Sequence, residues 1–274
     1  MSDLAKPCSL PAKLAAVPLV FWQVLLGVLA LFAWEQGVRL GVLDKFFFSQ
    51  PSEVAARLWR LFATGLVWRH LVTTLLEAAL SFVLGVAFGV VCGFVLARRR
   101  FLAALLDPYL RIANALPRVV LAPIFLLWFG LGIWSKVALG VTVVFFIAFF
   151  NTFQGVRDVD PWLVNHVRML GASERQLLRH VLIPSALTWI FSSLHISIGF
   201  AIIAVVVGEY LGASQGIGYL IAQAEGVFDT AGVFAGMCIL AAVVLIVGAA
   251  VSRLERYLLR WKSERLHPGP TEPR

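Results

Sequence analysis

Three ionisable side chains interrupt stretches that are otherwise apolar: Glu77, His195 and Glu209. A charge at the centre of a bilayer costs about 2.5–3.5 kcal/mol on insertion scales, so each must face protein or water rather than lipid. Glu77 stands about six residues inside its run, or ~9 Å at ~1.5 Å per residue, which fits packing or snorkelling at a rim better than transport. Residues 186–207 hold no Asp, Glu, Lys or Arg, but they do hold Ser192, Ser193, His195, Ser197 and Gly199. On a helix Ser193 and Ser197 share one face, while Ser192, His195 and Gly199 share the neighbouring one. That pattern has two readings: the lining of a polar route, or close helix packing with hydroxyls bonded to the preceding turn. Glu209 lies ~35 Å along the axis from Ala186, past ~30 Å of hydrocarbon, which places it at the outer rim for a gating or pathway role. None of this is catalytic chemistry. The sequence has no H-E-x-x-H pair and no converging nucleophile and base, and a lone His makes no metal site. No G-x4-G-K-[ST] loop is present either, so no nucleotide is held by a P-loop on this chain. Cys8, Cys92 and Cys238 are odd in number and widely spaced, and define neither a disulfide frame nor a metal set.

The elements that must position these residues are membrane spans. The 274 residues are 60% hydrophobic and 14% charged, with a mean hydropathy of +0.88. Soluble domains are about 45–50% apolar and about 25% charged. The pattern predicts an all-α polytopic membrane protein with six transmembrane helices, over 14–33, 71–97, 117–134, 137–153, 186–207 and 233–251. A helix starting at Pro51, with Ser52 as cap and Glu53 in the first turn, puts Val54, Leu58, Leu61 and Phe62 on one face. Arg57 and Arg60 beside them make it interfacial. Thr73, Glu77, Ser81, Gly85, Gly89 and Gly93 recur at every fourth position, a ridge whose small residues let another helix come close. Pro123 predicts a kink in the third span. Residues 211–231 read as a Gly-rich external loop. The chain thus divides into 1–70 (first span and interfacial helix), 71–252 (five-span core) and 253–274 (a basic tail with a disordered end).

The polar interval 158–184, DVDPWLVNHVRMLGASERQLLRHVLIP, is built to be structured. Asp160 caps a helix whose first position is Pro161, and Gly171 ends it in a left-handed conformation. Ser173 with Gln176 forms a capping box for a second helix, which Pro184 is expected to stop near Ile183. Leu163, Val167 and Leu170 form an apolar stripe on the first helix, and Leu177, Leu178, Val181 and Leu182 another on the second. The product is a bent pair of surface helices, a docking element rather than a span.

Gly171, nine residues, then Val181-x-Ile183-Pro184 resembles the cytoplasmic "EAA" loop of ABC importer permeases, E-A-A-x3-G-x9-I-x-L-P. MLGASERQLLRHVLIPSAL, NALPRVVLAPIFLLWFGLG, FFNTFQGVRDVDP and VVVGEYLGASQGIGYLI are similar to the nitrate/sulfonate/taurine/bicarbonate branch of that family. Asn165, His166 and Val167 stand where the name-giving Glu-Ala-Ala would be; an Asn still hydrogen-bonds but supplies no carboxylate. The resemblance implies a type I ABC importer permease fold. It also implies that Asn165, His166, Arg168, Gly171, Ala172, Ser173, Arg175, Gln176 and Pro184 dock a cytoplasmic ATPase subunit. Further partners it implies are a second permease copy, forming a homodimer, and a periplasmic substrate-binding protein. No cofactor sits on this chain, since ATP belongs to the partner subunit, and the solutes are small oxyanions and organic acids such as sulfonates, taurine or nitrate.

Charge gives an independent topology. With both termini cytoplasmic, most of the 23 Lys and Arg fall inside, whereas Arg39, Lys45, Arg57, Arg60, Arg69 and Lys136 fall outside. Residues 158–184 then face the cytoplasm of a bacterial inner membrane. The net charge of +8 sits beside spans and not on one basic domain, so nucleic acid is excluded as a partner. The alternative function is a secondary carrier or channel driven by an ion gradient, which calls for more intramembrane ionisable groups and often for repeated halves. An intramembrane enzyme would need a catalytic set at depth, and the sequence offers none.

Overall fold

A computed structural model describes residues 19–258 of the chain. The helices are α1 (Leu19–Arg39), α2 (Lys45–Phe48), α3 (Pro51–Ala63), α4 (Leu66–Arg98), α5 (Arg100–Ala115), α6 (Ala122–Phe129), α7 (Ile133–Arg157), α8 (Pro161–Met169), α9 (Glu174–Leu177), α10 (Ile183–Leu211), α11 (Ile217–Gly226) and α12 (Thr230–Leu258). A 3₁₀ turn, Arg118–Leu121, leads into α6. In hydrocarbon every backbone N–H and C=O must be paired within its own segment, so long apolar runs have little choice but helix. Among the described residues five helical runs are long and apolar enough to cross a membrane: Leu19–Arg39, Leu66–Arg98, Ile133–Arg157, Glu174–Leu211 and Thr230–Arg253. A sixth span results if the bent pair Arg100–Ala115 and Arg118–Phe129 is counted as one.

The centre of the bundle is the contact between α4 and α7, and the four-residue ridge makes it. A Cβ on Gly89 would lie 2.6 Å from the Phe145 carbonyl oxygen, and one on Gly93 2.6 Å from that of Phe149. Gly85 meets Val144 in the same way, while Ser81 lies against Gly140 and donates to the Val137 carbonyl at 3.3 Å. With no side chain between them the two backbones nearly touch, and dispersion replaces the hydrophobic drive that lipid cannot supply. Helix α10 packs on the same pair through Ile202, Val205 and Val206, which cluster with Ala78.

The structure departs from the sequence expectations in several places. The third span, expected as one helix over 117–134, is a 3₁₀ turn followed by the short α6, with Pro123 in the first turn of α6. The bend lies ahead of that interval: α5 and the Arg118–Phe129 arm meet at 87°, where Leu116 is extended (ψ 131°) before Pro117. Pro184 does not stop the second surface helix. A π-helical stretch over Leu178–Leu182 widens the turn ahead of it, and the helical run continues into α10. Residues 211–231 contain α11 rather than loop alone. The cap of α3 is Gln50; Ser52 instead bonds the Glu35 carboxylate through both its N–H (3.1 Å) and its hydroxyl (3.0 Å). Residues 14–18 of the first span, Lys6, Lys13, Cys8 and residues 259–274 of the tail lie outside the described residues.

Candidate functional site

Two polar constellations occupy opposite ends of α10. At its start the 158–184 segment folds as a capped elbow. The Asp160 carboxylate accepts from the Trp162 N–H at 2.8 Å, with Pro161 in the first turn of α8. Gly171 ends that helix at φ 81°, a region closed to most residues with a Cβ. The capping box closes as its spacing demands: the Ser173 N–H donates to Gln176 Oε1 at 2.8 Å, and the Gln176 N–H to Ser173 Oγ at 3.4 Å. Val159, Leu177 and Val181 are buried together, flanked by Val164, Val167 and Leu182. The stripe expected on α8 is therefore split, since Leu163 and Leu170 stay exposed and Val164 takes their place against α9. Glu174 ties the elbow to the bundle, pairing with Arg168 (2.8 Å) and with Arg98 at the end of α4 (3.5 Å). Asn165, His166, Arg168, Gly171, Ser173, Arg175, Gln176 and Pro184 are exposed, and Ala172 is half-buried. Beside them Trp162, Met169 and Leu170 show apolar surface (68–77% exposed) that no other described residue covers. Ser173→Ala removes a cap of about 1 kcal/mol, and amide exchange at residues 173–178 is expected to speed up while that of α4 stays as it was.

At the far end of α10 the structure gathers His70, Thr74 and Glu77 from α4, Lys136 from α7 and Glu209 from α10, every one of them buried. Glu209 Oε1 accepts from the Thr74 hydroxyl at 2.7 Å, and its Oε2 from the Gly218 N–H at 2.8 Å. Glu77 and Glu209 are neighbours in this buried set, and Lys136 lies within electrostatic reach of both. Lys136 Nζ also donates to the carbonyls of Leu131 (2.7 Å) and Gly132 (3.0 Å). Burial favours a set of opposite charges over any one of them alone. Glu209, two residues from the end of α10, and Lys136, in the first turn of α7, are thus covered by protein rather than exposed at their helix ends, with Gly216 and Gly218 packed against Glu209. The signal for this cluster was the spacing of His70, Thr74 and Glu77, one polar stripe on an apolar helix.

The serines of α10 divide. Ser193 and Ser197 are fully buried, with the Ser193 hydroxyl donating to the Ile190 carbonyl at 2.7 Å, which is the packing arrangement. Ser192 and His195 are exposed and Gly199 is half-buried, so the neighbouring face is open in the single chain. Among the described residues no group of His, Cys, Asp and Glu is placed to hold a metal ion.

Residues 85–263 match the family described as the binding-protein-dependent transport system inner membrane component. The chain belongs to this family. The riboflavin transport system permease protein RibX of Chloroflexus aurantiacus is 35% identical over 86% of this chain and 88% of its own length. The putative aliphatic sulfonates transport permease protein SsuC of Bacillus subtilis is 33% identical over 91% and 86%. Among solved structures, a bacterial ABC transporter involved in the import of the acidic polysaccharide alginate superposes with a TM-score of 0.59. It covers 87% of this chain and 95% of its own, at 15% identity. The inner-membrane component thus has the all-α fold of type I ABC importer transmembrane subunits.

Proposed function

We propose that this chain is the transmembrane subunit of an ATP-driven importer for a small anionic organic or oxyanion solute, of the sulfonate, taurine or nitrate kind. The observation that carries the reading is the elbow: a capped, rigid pair of short helices with exposed polar residues and uncovered apolar side chains, continuous with a spanning helix. Relatives named for sulfonate and riboflavin transport support the importer assignment, and the sulfonate relative supports the solute class.

Two copies form the pathway, both termini are cytoplasmic, and separate ATPase subunits grip the elbow through Asn165, His166, Arg168, Gly171, Ala172, Ser173, Arg175, Gln176 and Pro184. A periplasmic binding protein delivers solute at the opposite face. ATP closes the ATPase dimer, the elbows move, and the spans exchange inward-open for outward-open states; the nucleotide acts by favouring one of two existing arrangements. Ser192 and His195, on the open face of α10, border the pathway. Lys136 is buried and its ammonium is held by the Leu131 and Gly132 carbonyls, so selection among anions rests mainly with the binding protein.

Affinity purification of this chain with its ATPase subunit tests the assignment. Proline locks φ near −65°, incompatible with 81° at Gly171. Gly171→Pro is expected to lower the co-purified ATPase about tenfold while the chain stays in the membrane fraction. Solute transport by this chain alone in liposomes would favour the ion-driven carrier instead.

A further inference from the structure

The helical run Glu174–Leu211 is 38 residues long, ~57 Å at ~1.5 Å per residue, with the elbow at one end and α11 at the other. Two consecutive residues at that far end hold α11 at both of its termini. Glu209 takes the Gly218 N–H, and through Thr74 it is linked to the Ile217 N–H, which donates to Thr74 Oγ1 at 2.9 Å. The Tyr210 hydroxyl bonds the Glu225 carboxyl in the last turn of α11. His70 Nδ1 accepts the Gly216 N–H at 3.0 Å just ahead of the helix. The first N–H groups of a helix have no partner within it, so their capture by buried acceptors is what turns this Gly-rich stretch into a helix here. The approach leaves no room for a Cβ: one on Gly218 would lie 2.8 Å from Glu209 Cβ, and one on Gly216 would overlap the Glu209 carboxyl. On its other side α11 inserts Ile217 and Ile221 among Val67, Ile239 and Val243, so it lies between α10 and α12.

We infer that Glu209 is a positioning residue of the transport cycle, tying α11 to the end of α10 so that a displacement at the elbow reaches α11 as the movement of one rod. The inference rests on the importer reading. A hydrogen-bonded helix is stiff along its axis, and packed elements shift as units rather than deforming continuously. The weak point of the rod is its junction with α11, where a few hydrogen bonds do the holding. The same link runs in reverse: a binding protein seated at the α11 end acts on the ATPase at the elbow end, as reciprocity of coupling requires.

The complete complex in liposomes, with its ATPase subunits and binding protein, supplies the test, read as the fold-stimulation of ATP hydrolysis by the binding protein. Glu209→Ala is expected to lower that stimulation about tenfold, and to raise amide exchange over residues 214–226 with no change over 140–157. Glu209→Gln keeps an oxygen for the Gly218 N–H and an amide for Thr74, and is expected to stay within about threefold of wild type. Where Glu209→Ala fails to accumulate, Thr74→Val carries the same expectation, because it keeps the shape and removes the hydroxyl used by both Glu209 and Ile217. Wild-type stimulation in the Ala or Val variant overturns the link, as does unchanged exchange over 214–226. A Gln variant as defective as Ala also overturns it, since the charge and not the bonding would then matter. A wild-type chain that binds no ATPase at all sinks the importer reading itself, whereas bound ATPase with intact stimulation in Glu209→Ala sinks only the link.

Discussion

Gly89→Leu is expected to abolish accumulation of folded protein in the membrane. A Cβ at this position already lies 2.6 Å from the Phe145 carbonyl oxygen, 2.8 Å from Ala148 Cβ and 3.0 Å from the Phe149 nitrogen. Two of those three neighbours are backbone, which cannot rotate aside as a side-chain end can. The helices must therefore separate along the contact that Gly85, Gly89 and Gly93 share with α7, and that contact is the centre of the bundle. Extra methylenes in a packed core cost about 1–3 kcal/mol even where side chains can adjust. Here the loss extends over neighbouring turns, and lipid gives no hydrophobic compensation for drawing the helices back together. Gly89→Ala is expected to be milder, lowering the melting temperature in detergent by about 4–8 °C. Gly199, where an added Cβ meets nothing within 4 Å, is the matched control for helix propensity. Normal yield and an unshifted melt for Gly89→Leu would refute the close-approach account.

Lys136→Met is expected to destabilise the bundle by about 3–5 kcal/mol, the cost of removing one partner from a buried ionic set. Lys136 is 1% exposed, and its loss leaves Glu77 and Glu209 facing each other without a cation. It also strips the Leu131 and Gly132 carbonyls, at the turn into α7, of their shared donor. The double variant Lys136→Met, Glu77→Gln removes one charge of each sign, leaves an amide beside Glu209, and is expected to regain more than half of the lost stability. Thermal melts of the purified chain measure both, and the coupling between the two sites is the decisive quantity. Strictly additive effects would mean that Lys136 acts through its carbonyl bonds alone.

The elbow could be read in the sequence because the forces that shape it are local. Asp160 before Pro161, Gly171 at a left-handed position, and Ser173 three residues ahead of Gln176 each act on backbone groups within a turn of themselves. The ridge ending in Gly93 was likewise legible, since a repeat of four on an apolar helix states which face will be approached closely. Its partner was not, because nothing in the spacing names α7. Pro184 shows the limit of local rules: it disfavours helix before it, yet a π turn absorbed the strain and the span ran on. The cluster of Glu77, Lys136 and Glu209 was decided by the tertiary structure alone. Its members come from three helices far apart in the chain, with Thr74 and Glu209 separated by 135 positions. Sequence could say that each charge inside the membrane needed a partner. Only the packing of α4, α7 and α10, with the chain folding back at Gly216, determined that they would be partners to one another, because burial rewards charges that meet wherever the helices bring them.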